Sequence, residues 1–262
     1  MLTIDIEKAF DSVDHPFLFA ALECIGINGE SLEWLRVLHN NQESCLIKGG
    51  ISTGYFSLER GSRQGDPISA YMFIIIMEIF FTMIKANKNI NALEILGFKY
   101  HLTSYADDTT FFIKDTDSIF EIFKTFDKFS DFSGLRANKS KCEITGIGVK
   151  NGAQVALLGI KCINLNTESI RILGVHFSYS KSIFLEKNYH EVIKQIENVL
   201  AIWRWRNLTL LGKITIFKSL AFSKIIFLSY LSHLPTEIMN RLETLQKDFI
   251  WNGKRPKIKY TT

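Results

Sequence analysis

The chain is 262 residues long, 47% hydrophobic and 22% charged, long enough to bury a substantial core and far too apolar for a disordered tail. Its formal net charge of +4 conceals a split. Residues 1–178 hold 17 Lys and Arg against 21 Asp and Glu, whereas residues 179–262 hold 14 against 6. A basic tail on an acidic body hints at a polyanionic partner, although a solvated helical face accounts for any single run of these charges.

The four cysteines, Cys24, Cys45, Cys142 and Cys162, are far apart and form no C-x-x-C pair. The usual zinc spacings are therefore excluded and no disulfide framework is expected. The opening "MLTIDIEKAFDSVDH" has neither a basic nor an apolar leader region, so no signal peptide is expected and an intracellular setting, cytoplasmic or nuclear, fits. The longest apolar runs, 70–84 and 219–231, are interrupted by Glu78 and Lys224. Both fall short of the roughly 20 residues of a membrane span; they read as buried helices, with no membrane partner expected.

In chain order, "LTID" is a short strand ending at Asp5. Asp14 and Pro16 predict a helix to about Gly26, with Asp14 as N-cap, and Ser31 predicts a cap for a second helix to about Asn41. Residues 44–59 form a predicted hairpin broken at Gly49-Gly50. The loop "RGSRQGDP" follows, and Asp66-Pro67 opens a long apolar helix to about Lys88. Residues 96–113 read as two strands around Asp107-Asp108. Ser118 and Glu121 then predict a capping box on a helix striped by Ile119, Ile122, Phe123, Phe126 and Phe129 and closed by Gly134. Strands are expected at 141–149, 155–163 and 170–177. Three helices are expected beyond residue 179.

The first 149 residues thus read strand, helices, strand, strand, helix, strand, the split βαβ order of ferredoxin-like folds. In that order the first two strands run parallel and the second and third form a hairpin, so Asp5 and Asp107-Asp108 reach the same sheet edge. Three carboxylates there repel one another unless a cation neutralises them, and "YADDTT" carries no Lys or Arg of its own. All-oxygen ligation favours a hard ion such as Mg²⁺, which takes carboxylates together with substrate phosphates. Two such ions are the arrangement that activates a 3′-hydroxyl and stabilises departing pyrophosphate in polymerases.

The segments "LTIDIEKAFDSVDH", "RGSRQGDPISAYMF", "YADD", "SGLRANKSKCEI" and "ILGVHF" resemble, in order and spacing, the five palm motifs of reverse transcriptases from LINE-type, non-LTR retrotransposons. The resemblance implies an α+β fold: a ferredoxin-like polymerase palm with an antiparallel sheet over residues 1–178. A helical basic thumb, with the start of the following connection, then fills 179–262.

It further implies RNA-directed DNA polymerisation with two Mg²⁺ ions, Mn²⁺ being the alternative, on an RNA template and DNA primer with dNTP. Asp5, Asp107 and Asp108 become the catalytic acids. Asp5, Asp107 and the Ile6 carbonyl become metal ligands, while Asp11 keeps a structural role. Phe10 becomes the gate against a 2′-hydroxyl, and Gln64, Gly65 and Arg63 approach template and nucleotide. Lys141, in competition with Lys139, serves the leaving pyrophosphate. Leu173 and Gly174 support the primer terminus.

In the thumb, Lys213 and Lys224 lie eleven residues apart and are expected to share a phosphate-facing side. Trp203 and Trp205 flank Arg204 in "WRWR"; stacking on unpaired bases is one reading and core packing the favoured one.

The chain departs from the family's pattern at Ala70, where many members have proline. Only four residues precede Asp5, so the fingers and an endonuclease are expected on a longer polyprotein. Without fingers, the alternative is an inactive retrotransposon remnant that only binds nucleic acid. A further alternative keeps the palm but changes the substrate, as in intron maturases or RNA-templated RNA polymerases.

Overall fold

The computed structural model describes residues 1–62, 65–147 and 158–253, which divide into two compact units, Met1–Ile163 and Asn164–Thr262. The first is built on five strands: β1 (Leu2–Ile4), β2 (Leu102–Tyr105), β3 (Asp108–Phe111), β4 (Glu143–Thr145) and β5 (Lys161–Ile163). Their spatial order is β5-β4-β1-β3-β2. The pairings β4-β1, β1-β3 and β3-β2 are antiparallel, and β5 joins β4 in parallel. The chain is α+β. Of the strand expected at 155–163, the last three residues extend this sheet, whereas the run at 170–177 folds into a hairpin of its own; residues 148–157 lie outside the described ones.

Against the sheet pack α1 (His15–Cys24), α3 (Pro67–Ala86) and α4 (Asp117–Ser133), with α2 (Glu30–His39) on α1. The α4 stripe reads as the periodicity predicts: Ile119, Ile122, Phe123, Phe126 and Phe129 are all buried. Phe80 of α3 is the hub. Its ring centroid stands 5.1 Å from Phe126, 5.2 Å from Phe129 and 6.1 Å from Phe111, so one side chain ties α3, α4 and β3 together. Such aromatic pairs add about 0.5–1.5 kcal/mol each beyond burial.

Several predicted caps form differently. Asp14 precedes α1 but makes no cap bond, because its carboxylate pairs with Arg60 at 3.0 Å. Gly29 precedes α2, and the expected Ser31 cap lies inside the helix. The Ser118-Glu121 box is displaced by Asp115, whose Oδ1 accepts from the Ser118 N–H at 2.8 Å. The Ser118 hydroxyl instead accepts from the Asn91 N–H. Gly49 and Gly50 turn a short hairpin, Ile47–Lys48 with Ile51–Ser52, both with positive φ.

The second unit holds a hairpin, β6 (Ile170–Ile172) with β7 (Val175–Phe177), and three helices: α5 (181–204), α6 (Leu210–Leu231) and α7 (Thr236–Trp251). Val175 is buried with Tyr189, Ile193, Ile196 and Leu200 of α5, Phe217 and Ile225 of α6 and Leu242 of α7. The two compact units therefore part after Ile163, because the hairpin packs on the helical core. Both α5 and α6 widen into π-turns, at Glu186–His190 and Phe217–Phe222.

Helices α3 and α6 are 20 and 22 residues long, so the expectation that both apolar runs are too short to span a bilayer does not hold on length. The expected burial holds for α3, whose Met72, Phe73, Ile76, Met77, Phe80 and Ile84 are core residues. For α6 it holds on one side only: Phe217, Ala221, Ile225 and Leu228 are buried, while Phe227, Tyr230 and Leu231 are exposed.

Two glycines fix the segment after β1. A Cβ on Gly61 would stand 2.7 Å from Asp11 Cα, and one on Gly134 would stand 2.7 Å from the Ser12 carbonyl oxygen. Both also have left-handed φ, 82° and 75°. Gly61→Ala is expected to destabilise the fold by about 2–4 kcal/mol, from overpacking against backbone together with a strained φ. Thermal or urea unfolding of the purified variant measures it.

Candidate active site

The register Leu2↔Phe111, Thr3↔Thr110 and Ile4↔Thr109 sets β1 against β3. One residue on, the ladder brings Asp5 level with Asp108, next to Asp107. The apolar-to-acidic change along each strand explains the edge: Ile4 and Thr109 are buried, while Asp5 and Asp107 are half-buried and Asp108 is exposed. The register thus directs Asp5 toward the turn that carries Asp107 and Asp108.

The β2-β3 turn that carries two of them is tight. Asp108 pairs with Tyr105, leaving only Ala106 and Asp107 as the loop. Ala106 has φ of 52°, a conformation usually taken by glycine at the first position of such turns and costing a side-chain-bearing residue about 1–3 kcal/mol. The Ser104 hydroxyl offsets it. Its Oγ bonds the Ala106 carbonyl at 3.1 Å and the Thr109 Oγ1 at 3.0 Å. Sequence reasoning missed Ser104 and Thr109; their cross-strand pairing beside the acids was the available signal.

Beyond Asp5 the chain leaves the sheet as Ile6–Glu7, which pairs with Arg136–Ala137. The Asn138 N–H donates to the Asp5 carbonyl at 2.8 Å. In an antiparallel ladder this makes Ile6 and Ala137 the non-bonded pair, so the Ile6 carbonyl is directed away from its partner strand. Asn138 also opens a turn in which its carbonyl accepts from the Lys141 and Cys142 N–H groups and the Cys142 thiol. Burial pushes that thiol's pKa up, leaving Cys142 an apolar floor beneath Asp5.

The same turn supplies a cation that "YADDTT" lacks. Lys141 Nζ stands 3.8 Å from Asp5 Oδ2. Lys139 lies instead over the Phe123 ring at 5.6 Å, so of the two competing lysines it is Lys141 that reaches the acids.

Phe10 sits half-buried with its ring 4.6 Å from Phe73 of α3, and its carbonyl accepts from the Ser62 N–H. Asp11 is the residue against whose backbone Gly61 closes. Gly65 has φ of 98° with no protein atom within 4 Å of a notional Cβ; its requirement is conformational, and its approach side is open. Asp66 caps α3 through the Ile68 N–H at 3.0 Å. Arg63 and Gln64 lie outside the described residues.

In the second unit, Leu173 and Gly174 form the β6-β7 turn, both with positive φ. Lys213 and Lys224 do not act as one face. Lys213 Nζ bonds the Ile250 carbonyl at 3.3 Å and Asn252 Oδ1 at 2.5 Å, closing the C-terminal end of α7. Lys224 reaches Gln195 on α5. The intervening π-turn sets back the helical phase that their spacing assumes. Trp203 packs on the helical core under Arg206, as favoured, but Trp205 is 92% exposed.

Among the described residues no three His, Cys, Asp or Glu side chains are grouped closely enough to enclose a metal ion. The acids form an open, all-oxygen edge. Such an edge fits a hard divalent ion that takes one or two carboxylates and completes its shell with substrate phosphates and water.

Paired divalent ions serve phosphatases, nucleases and polymerases alike, and an open acidic edge suits that class of chemistry. Residues 1–177 match the family model described as "Reverse transcriptase (RNA-dependent DNA polymerase)", and the chain belongs to that family. Its members generally use divalent metal ions and nucleic-acid templates.

The relatives are mobile-element proteins, in keeping with the non-LTR resemblance of the five motifs. "Transposon TX1 uncharacterized 149 kDa protein" of Xenopus laevis is 25% identical over 97% of this chain and 19% of its own length. A Pol polyprotein of retrotransposable element R2 from Popillia japonica is 24% identical over 59% of this chain and 25% of its own. That of R2DM from Drosophila melanogaster is 27% identical over 55% and 13%. The chain thus spans a quarter or less of each. A solved structure of telomerase from Candida albicans with a fragment of telomeric RNA covers 95% of this chain and 47% of that one, at TM-score 0.48 and 10% identity.

Thr109→Val is expected to leave Ser104 with the Ala106 carbonyl alone. Losing one hydrogen bond costs about 1 kcal/mol, lowering Tm by roughly 2–4 °C in a differential scan.

Proposed function

We propose that the chain performs RNA-directed DNA synthesis, adding dNTP units to a DNA primer on an RNA template. The observation that carries the reading is the β1-β3 register, which sets Asp5 beside Asp107-Asp108 at an open sheet edge. The antiparallel order β4-β1-β3-β2 supports a split βαβ polymerase palm, and the basic helical unit supports a thumb.

Asp5, Asp107 and the Ile6 carbonyl are the ligands for two Mg²⁺ ions, or Mn²⁺ in their place, with Asp108 completing the acidic set. When bound, the ions lower the barrier by activating the 3′-hydroxyl and neutralising charge on the leaving pyrophosphate. The chain's own residues do the rest. The Ser104-Thr109 brace holds the Asp107 turn in its strained form, so the carboxylates need no reorganisation at the moment of reaction. Lys141, charged beside Asp5, holds the proton that the departing pyrophosphate takes.

Phe10, fixed against Phe73, offers its remaining face to the incoming sugar. A 2′-hydroxyl placed there meets an aromatic edge with no polar partner, which disfavours ribonucleotides. Gly65 allows the template-side base pair to approach bare backbone; Gln64 and Arg63, which the motif resemblance assigns to the same task, lie outside the described residues. Leu173 and Gly174 meet the primer terminus.

Primer extension by the purified chain on an RNA template with Mg²⁺ tests the proposal. Asp107→Asn is expected to lower incorporation by about 10³-fold, the loss of several kcal/mol of transition-state stabilisation. Extension unaffected by that change overturns the assignment of the acids. Phe10→Val is expected to raise incorporation of ribonucleotides relative to deoxyribonucleotides about tenfold, read from paired kcat/KM values; an unchanged ratio removes Phe10 as the gate.

A further inference from the structure

The β6-β7 hairpin is too small to hold its own shape, since two strands alone are marginal in water. Its two-residue turn makes Ile172 and Val175 the bonded pair nearest the tip, so the next pair, Arg171 with His176, turns its peptide groups outward. Both outward groups of His176 are taken by one side chain. Asn188 Oδ1 accepts from the His176 N–H at 2.8 Å, and Asn188 Nδ2 donates to the His176 carbonyl at 2.7 Å. The second Nδ2 hydrogen goes to the Phe184 carbonyl at 3.0 Å.

Asn188 is 2% exposed and lies within the π-turn of α5. Both amide hydrogens and the carbonyl oxygen are therefore used. In effect the side chain completes a third strand one residue long, joined to the helix through Phe184. The other anchor is Val175, buried against Tyr189 and its neighbours. Apolar burial fixes depth but not direction, whereas the paired bonds to His176 fix both. Among the described residues, Leu173 and Gly174 make no comparable polar attachment to α5, α6 or α7, and their turn is exposed.

We infer that Asn188 is a positioning residue: it sets the Leu173-Gly174 turn at the angle at which that turn supports a primer terminus. The inference rests on the reading of the hairpin given under Proposed function. It assigns a purpose to the π-turn that carries Asn188, a kind of helix irregularity found frequently at functional sites.

Steady-state primer extension and fluorescence anisotropy with a labelled primer-template duplex test it in Asn188→Ala, Asn188→Asp and Leu173→Ala. Asp keeps the shape and the acceptor for the His176 N–H, but sets an oxygen against two carbonyls. Both Asn188 variants are expected to raise the KM and Kd for primer about five- to tenfold, with kcat within about twofold. Hydrogen exchange of the His176 N–H is expected to accelerate in the Ala variant more than in the Asp variant.

If Leu173→Ala raises the primer KM and neither Asn188 variant does, the positioning role is overturned while the hairpin reading stands. If Leu173→Ala leaves the primer KM unchanged, the hairpin reading itself falls and takes the inference with it. A fall in kcat with primer KM unmoved, the mark of lost folded protein, also counts against positioning and leaves Asn188 a purely structural residue.

Discussion

The arrangement of the first unit depends on the register of a three-residue strand. β1 offers only Leu2, Thr3 and Ile4 to β3, and a slip by one residue would carry Leu2 and Ile4 from core to solvent and move Asp5 away from the Asp107 turn. The register holds because both sides of β1 are paired and Leu2, Ile4 and Phe111 are buried together. Burial of apolar side chains on one strand thus fixes the place of a carboxylate on the next residue. The chemistry lies at the point where the hydrophobic pattern stops.

The segment that follows is confined by backbone contact. Gly61 closes on Asp11 and Gly134 on Ser12, the Gly61 N–H bonds the Val13 carbonyl, and His15 bonds the Gly61 carbonyl at 2.8 Å. Three stretches distant in sequence meet there: the strand exit, the loop before α3 and the end of α4. Phe10 belongs to the same confined segment, and its contact with Phe73 leaves little freedom for either ring. Rigid support at this distance from the acids is the property a preorganised site requires.

How much of this was legible follows from the range of the forces involved. The α4 stripe, its closing glycine and the Gly49-Gly50 turn were readable, because each rests on local pattern or turn chemistry. The Asp115 cap was not, since Asp115 and Ser118 are equally good capping residues and only Asn91, brought from far away, decides between them. The motif resemblance named Lys141 in competition with Lys139, but its contact with Asp5 depends on the pairing of Ile6–Glu7 with Arg136–Ala137, which strands of two residues do not announce. The face predicted for Lys213 and Lys224 assumed 3.6 residues per turn, and the π-turn at Phe217–Phe222 broke that assumption. Gly65 attracted notice through the motif, yet Gly61 is the glycine that the protein's own backbone demands.

The packing of residues 170–177 has the widest consequence. Residues 170–177 read as the last strands of a palm, because they follow strands and match the family's fifth motif. Packing places them elsewhere: Val175 completes a helical core, and Asn188 completes the hydrogen bonding of His176. The motif therefore marks family membership without marking the compact unit to which it belongs. The acids and the β6-β7 turn stand on different cores, each with its own stabilising contacts. A substitution that loosens the helical core disturbs the Leu173-Gly174 turn first. The register of β1 against β3 has no buried residue in common with that core.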